Sequence, residues 1–138
     1  MSSLFCNRFE SLLLYFWFSA PSEPINLSVH QKGHSYIYIK WQKPEHANGI
    51  ITNYTINYEC LDNCDEHYHS FTVLEDDLNE LDEEFYGYEI SDLFTYWRYK
   101  VRVSANTVSS GNYSEIEVRT SAAGEYCFQI QTSLDFLI

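Results

Sequence analysis

The sequence predicts an all-β fold, a seven-stranded antiparallel β-sandwich, on three observations. The chain is rich in aromatics, with Tyr 12, Phe 9 and Trp 3, and carries only 5 Gly and 3 Pro. Tyr, Phe, Ile, Val and Thr fit a pleated, half-buried surface, so this bias leans towards strands. Between Pro21 and Ala123 the chain breaks into short alternating runs separated by turn residues, the pattern of a sandwich or barrel. No segment carries the long apolar 3.6-residue periodicity of a packed helix.

The first run, Ile25–His30, is introduced by Pro21 and Pro24, which suit an edge strand or its approach. A turn at Gln31–Ser35 around Gly33 leads to Tyr36–Gln42, where Ile37, Ile39 and Trp41 share one face. Pro44 and Asn48–Gly49 stop that run. In Ile51–Glu59, Tyr54, Ile56 and Tyr58 point one way and Thr55, Asn57 and Glu59 the other. Cys60–Asp65 reads as a turn and Tyr68–Leu74 as the fourth run. An acidic loop follows, then Tyr86–Ile90. The sixth run is the clearest: Tyr99, Val101, Val103 and Ala105 alternate with Arg98, Lys100, Arg102 and Ser104. Ser114–Thr120 closes the series with Ile116 and Val118 inward. Seven runs in about a hundred residues match an immunoglobulin-like sandwich.

Length and charge bound the function. The 138 residues suffice for one ordinary domain and not two. A formal net charge of −12 disfavours nucleic acid and anionic membrane as electrostatic partners. Residues 1–20 have the outline of a signal peptide, with Arg8 before an apolar run and Ser19–Ala20 after it. A non-native leader is the alternative, because Glu10 interrupts the run and Phe18 sits where a small residue is wanted. Leu12–Phe18 is far shorter than the ~20 apolar residues needed to span a bilayer, so no transmembrane segment is expected. The domain proper is placed at 21–122, with a tail of unassigned structure at 123–138.

Quoted in order, four stretches carry a family resemblance. "SYIYIKWQKP" and "NGIITNYTINY" resemble the second and third strands of a fibronectin type III domain. "ISDLFTYWRYKVRVSAN" is similar to the family's tyrosine corner and sixth strand, and "SGNYSEIEVRTS" to its final hairpin. The resemblance implies Trp41 as the core aromatic, Tyr54 in step on the next strand, and Tyr99 as the corner tyrosine with Leu93 before it. Thr95 departs from the pattern, standing where a Pro often sits. The paired Trp–Ser hallmark of class I cytokine receptors is missing. An inter-sheet bridge of the antibody type is excluded, because only four positions separate Cys60 from Cys64.

Cys60 and Cys64 are read as a disulfide closing a hairpin loop. Together with His67 and His69 they also make the ligand set of tetrahedral zinc, so a small secreted metal-binding protein is one alternative. Asn-x-Ser/Thr acceptors occur at Asn26, Asn53 and Asn112. The stretch Glu75–Glu84 has calcium-suitable oxygens but neither the spacing nor the Gly of an EF-hand, and reads as a solvated loop or a dock for a basic partner. Arg98, Lys100 and Arg102 form a basic stripe whose expected partners are Glu59, Glu115 and Glu117 on neighbouring strands. No Gly-x-Ser-x-Gly elbow, phosphate-binding Gly-rich loop or His-Glu-x-x-His appears, and no Arg-Gly-Asp tripeptide.

The expectation is therefore a non-enzymatic, extracellular module without metal or cofactor, secreted or part of a cell-surface ectodomain. What the resemblance implies is adhesion, protein recognition or spacing, with neighbouring fibronectin type III domains in a longer parent. A fragment of a receptor tyrosine phosphatase or similar receptor enzyme is the other alternative.

Overall fold

A computed structural model describes residues 20–65, 68–82 and 84–123; the readings of residues 1–19 and 124–138 lie outside them. Among the described residues eight strands form: β1 (Ile25–Lys32), β2 (Ile37–Gln42), β3 (Asn53–Cys60), β4 (Tyr68–Leu74), β5 (Asn79–Asp82), β6 (Phe85–Ile90), β7 (Arg98–Asn106) and β8 (Ser110–Arg119). They make two four-stranded antiparallel sheets, ordered β1-β2-β6-β5 and β4-β3-β7-β8.

The all-β sandwich is as the sequence predicts, with one strand more than the seven expected. The additional strand is β5, inside the acidic stretch read as a loop. Leu78 is buried in the core and Leu81 half-buried, and the chain between them pairs with β6 through Asn79↔Gly87 and Glu80↔Tyr86. Two leucines anchoring an otherwise acidic segment are enough to hold it on the sheet edge. The same stretch begins with a single 3-10 turn, Glu75–Asp77.

Period-two alternation builds the core. On β2, Ile37, Ile39 and Trp41 are fully buried while Tyr38, Lys40 and Gln42 are half-exposed. From the facing sheet come Tyr54 and Ile56 of β3 and Tyr99, Val101, Val103 and Ala105 of β7. The largest rings meet across the two layers. Trp41 and Tyr54 pack edge-on at 5.4 Å between centroids, and Tyr86 lies 5.7 Å from Tyr54. Such pairs add about 0.5–1.5 kcal/mol each beyond their area. Gly111 has a steric reason: a Cβ there would fall 2.7 Å from the Pro21 carbonyl oxygen, where the incoming chain crosses β8.

The loops therefore gather at two ends. One end holds the segments after β2 and β4 and before β6. The other holds the Cys60–Cys64 loop, the corner from Ser91 to Trp97, and the exit of β8.

Candidate functional site

At the first end an ion pair and a phenol tie the sheets together. Lys43, just past β2, places Nζ 2.7 Å from Glu75 Oε1, just past β4. Tyr86 of β6 donates its hydroxyl to the same oxygen at 2.7 Å. Burial alone raises the Glu75 carboxyl, but the hydrogen bonds from Lys43 and Tyr86 and the charge of Lys43 outweigh it, leaving it below the usual range. Lys43 is held well above the usual ammonium value, first by its hydrogen bond to Glu75.

The second end is organised by Tyr99. Its hydroxyl accepts the Phe94 N–H at 2.8 Å, pinning the corner to the start of β7. The Thr120 hydroxyl donates to the Phe94 carbonyl at 2.6 Å and accepts the Trp97 N–H at 3.1 Å. Leu93 is buried beneath them, and its N–H reaches the Ser35 carbonyl at 2.9 Å. The corner contains two residues with left-handed backbone, Asp92 at φ 59° and Tyr96 at φ 60°. For a bulky side chain that conformation is an outlier costing ~1–3 kcal/mol. Arg119 offsets it by donating from Nη1 to the Tyr96 carbonyl at 2.8 Å and lying 4.6 Å over the Tyr96 ring.

Beside the corner, Cys60 and Cys64 are joined as a disulfide with Cα atoms 6.2 Å apart, both residues buried. His69 does not converge on them as a ligand; its ring stacks on Tyr58 at 4.7 Å. His67 lies outside the described residues, and among those described no three ligating side chains gather to hold a metal. A disulfide also leaves no thiolate for zinc, which binds the deprotonated form.

Of the basic stripe, Arg102 is neutralised within the sheet. Arg102 Nε meets Glu115 at 2.6 Å and its Nη1 meets Glu59 at 3.8 Å, both on flanking strands. Arg98 instead binds Asp62: the Arg98 amide donates to Oδ2 at 2.8 Å and its guanidinium reaches Oδ1 at 3.2 Å. Those contacts hold the Asp62 carboxyl below its usual value. Sequence reasoning missed this pair because Asp62 sits in a turn, off the strand register. Lys100 faces Glu59 and Glu117 in the register.

The three Asn acceptors differ in setting. Asn26 and Asn112 are exposed, Asn26 with φ 54°. Asn53 is half-buried, and its Oδ1 accepts the Asn106 amide at 2.7 Å.

Residues 19–120 match the model of the fibronectin type III domain. The chain belongs to the fibronectin type III family. Of the aromatics singled out in the sequence, Trp41 is fully buried and the Tyr99 hydroxyl is bonded to the backbone of the corner. Among curated proteins it is 33% identical over 108 residues to a receptor-type tyrosine-protein phosphatase of Aedes aegypti, covering 75% of this chain and 8% of that protein. The corresponding protein of Culex quinquefasciatus is 35% identical over 108 residues, 75% of this chain and 7% of its own length. Human ephrin type-B receptor 3 is 29% identical over 124 residues, 87% of this chain and 11% of that one. This fibronectin type III chain thus spans about a tenth or less of the curated relatives it matches.

Solved structures agree on the fold. The FN5 domain of Drosophila Lar aligns with a TM-score of 0.56 at 20% identity, covering 75% of this chain and all of that one (100%). The fibronectin type III domain of human fibronectin type III domain containing protein 3 gives 0.58 at 18% identity, covering 78% and 92%.

Proposed function

We propose that this fibronectin type III domain is an extracellular, non-catalytic protein-interaction or spacer module of a receptor or adhesion ectodomain. The observation that carries the reading is the kind of relative it has: three proteins named as receptors, each many times its length. The Cys60–Cys64 disulfide supports an oxidising compartment. Asn26 and Asn112 present exposed acceptors for glycan, and Asn53, tied to Asn106, is the least accessible of the three. Neighbouring modules of the same family in a longer parent fit the small share of each relative that the chain covers.

Expression behind a heterologous signal sequence in secreting cells tests this. The chain is expected in the medium, losing apparent mass on N-glycosidase treatment, with Cys60 and Cys64 unreactive to thiol reagents. Retention as an unglycosylated chain with both thiols free would sink the proposal.

A second reading, a segment of a receptor tyrosine phosphatase, is favoured by the Aedes and Culex relatives. In-frame coding sequence downstream distinguishes it, since a phosphatase domain must appear there. A different enzyme domain, or further fibronectin type III repeats without any catalytic domain, rejects it.

A further inference from the structure

The Tyr99 end carries a cleft that the described residues leave unfilled. It measures about 590 Å³, within the range of built ligand sites. Two ring pairs line it, Tyr58 stacked on His69 at 4.7 Å and Phe94 tilted against Trp97 at 4.5 Å. Phe94 is 57% exposed although it is a large apolar side chain. Asp65 and Asp92, both exposed, complete the lining, and among the described residues no ion pair engages either. Asp92 lies close enough to Tyr58 for its charge to add to the burial that raises the phenol.

Ring faces attract cations, and carboxylates fix where the charge sits. A guanidinium suits both, because it is planar, stacks on aromatics and donates in a fork. The domain already makes such contacts internally: Arg119 lies over Tyr96 at 4.6 Å and Arg102 over Tyr113 at 5.0 Å. Here the rings and carboxylates are present, and no Lys or Arg is among the described lining residues. We propose that this cleft receives an arginine side chain of a protein partner, stacked on Phe94 and Trp97 and bonded by Asp65 and Asp92. The proposal rests on the module reading above. The competing acidic surface, around Glu80, Asp82 and Glu84, is less suited to this ligand. Lys43 lines that cleft, and Lys40 already lies 4.7 Å over the Phe85 ring beside it.

The test titrates the ¹⁵N-labelled full chain with acetylated, amidated Gly-Arg-Gly, and with the lysine and citrulline versions. Arginine peptide is expected to shift the Trp97 indole and Asp92 amide saturably at millimolar concentration. Citrulline, the neutral isostere, is expected to bind about tenfold more weakly, and lysine to fall between. The Asp65→Asn/Asp92→Asn double variant is expected to lose a similar factor with an unchanged melting midpoint. Any of four results overturns the site: no shift, shifts centred on residues 79–84, equal binding of citrulline or lysine, or full binding by the double variant. A secreted, glycosylated chain that ignores the arginine peptide sinks this site and leaves the module reading standing. A chain that is never secreted sinks the module reading, whatever the peptide does.

Discussion

At one end of the sandwich Lys43, Glu75 and Tyr86 satisfy one another across the two sheets. At the other, Tyr99 and Thr120 spend their hydroxyls on the backbone of the corner, and Phe94, Asp65 and Asp92 are left facing solvent. Both ends are built from aromatics and carboxylates. They differ in where the cation is: the first end places its own lysine on the carboxylate, whereas at the second Arg119 and Arg98 are engaged by Tyr96 and Asp62 and the described cleft lining holds no Lys or Arg. An end whose charges are internally paired contributes to stability, whereas an end with its backbone pinned and its side chains free is available for recognition. The comparison predicts that substitutions at the first end register in stability and those on the free side chains of the second do not.

Between the ends lies the packing both depend on, and the largest effect is expected there. Trp41→Ala removes a fully buried indole that touches Tyr54 and Tyr86, and truncations of this kind cost ~3–5 kcal/mol. Chemical denaturation should show either an unfolded chain or a midpoint displaced by that amount. A transition close to that of the unsubstituted chain would mean that the indole is not the centre of the core.

That centre was legible in the sequence because a strand with one buried face announces itself by alternation. Ile37, Ile39 and Trp41 against Tyr38 and Lys40 allow one orientation only. Arg102 was legible for the same reason, since register alone puts it opposite Glu115 and beside Glu59. β5 was not, because Leu78 and Leu81 are outnumbered by neighbouring acids and only their contacts reveal the pairing. Nor was the cleft: its rings come from β3, β4, the corner and β7, and no local spacing links Tyr58 and His69 to Phe94 and Trp97. Periodicity reports what one strand does, and a surface assembled from several segments has no period.

Glu75→Gln addresses the first end. It removes the charge that Lys43 pairs with but leaves an acceptor for Tyr86, and Lys43 is more than half exposed. After solvent screening the expected cost is about 1 kcal/mol. The pH dependence has a definite sign. The folded Glu75 carboxyl lies below its unfolded value, so its contribution is present above the unfolded value of about 4.3. It is lost as pH falls through the lower, folded one. Melts across that acidic window should show a loss of stability that is smaller in the Gln variant. Identical pH profiles would remove Glu75 as a clamp between the sheets.

Tyr99→Phe tests the pinned backbone of the other end while keeping the ring. It leaves the Phe94 N–H without its acceptor, a loss of about 1 kcal/mol. The loosening should stay local, so amide exchange should quicken at residues 93–97 more than in β2 or β3. Uniform quickening throughout would show that the corner bond supports the whole fold and that the two ends are not separable.

The smallest expected effect makes the sharpest use of the comparison. Asp92→Asn removes a free carboxylate but keeps a residue type at home in left-handed backbone, so stability should change by no more than about 0.5 kcal/mol. Asp92→Val removes the same charge and places a β-branched side chain at φ 59°, which should cost ~1–2 kcal/mol. If the carboxylate contributed to the fold as Glu75 does, the Asn variant would itself melt below the unsubstituted chain, by about 1 kcal/mol. The gap between Asn and Val then measures the cost of backbone conformation alone. With the Asn variant at the midpoint of the unsubstituted chain, the charge of Asp92 is uncommitted within the domain and free to meet a partner.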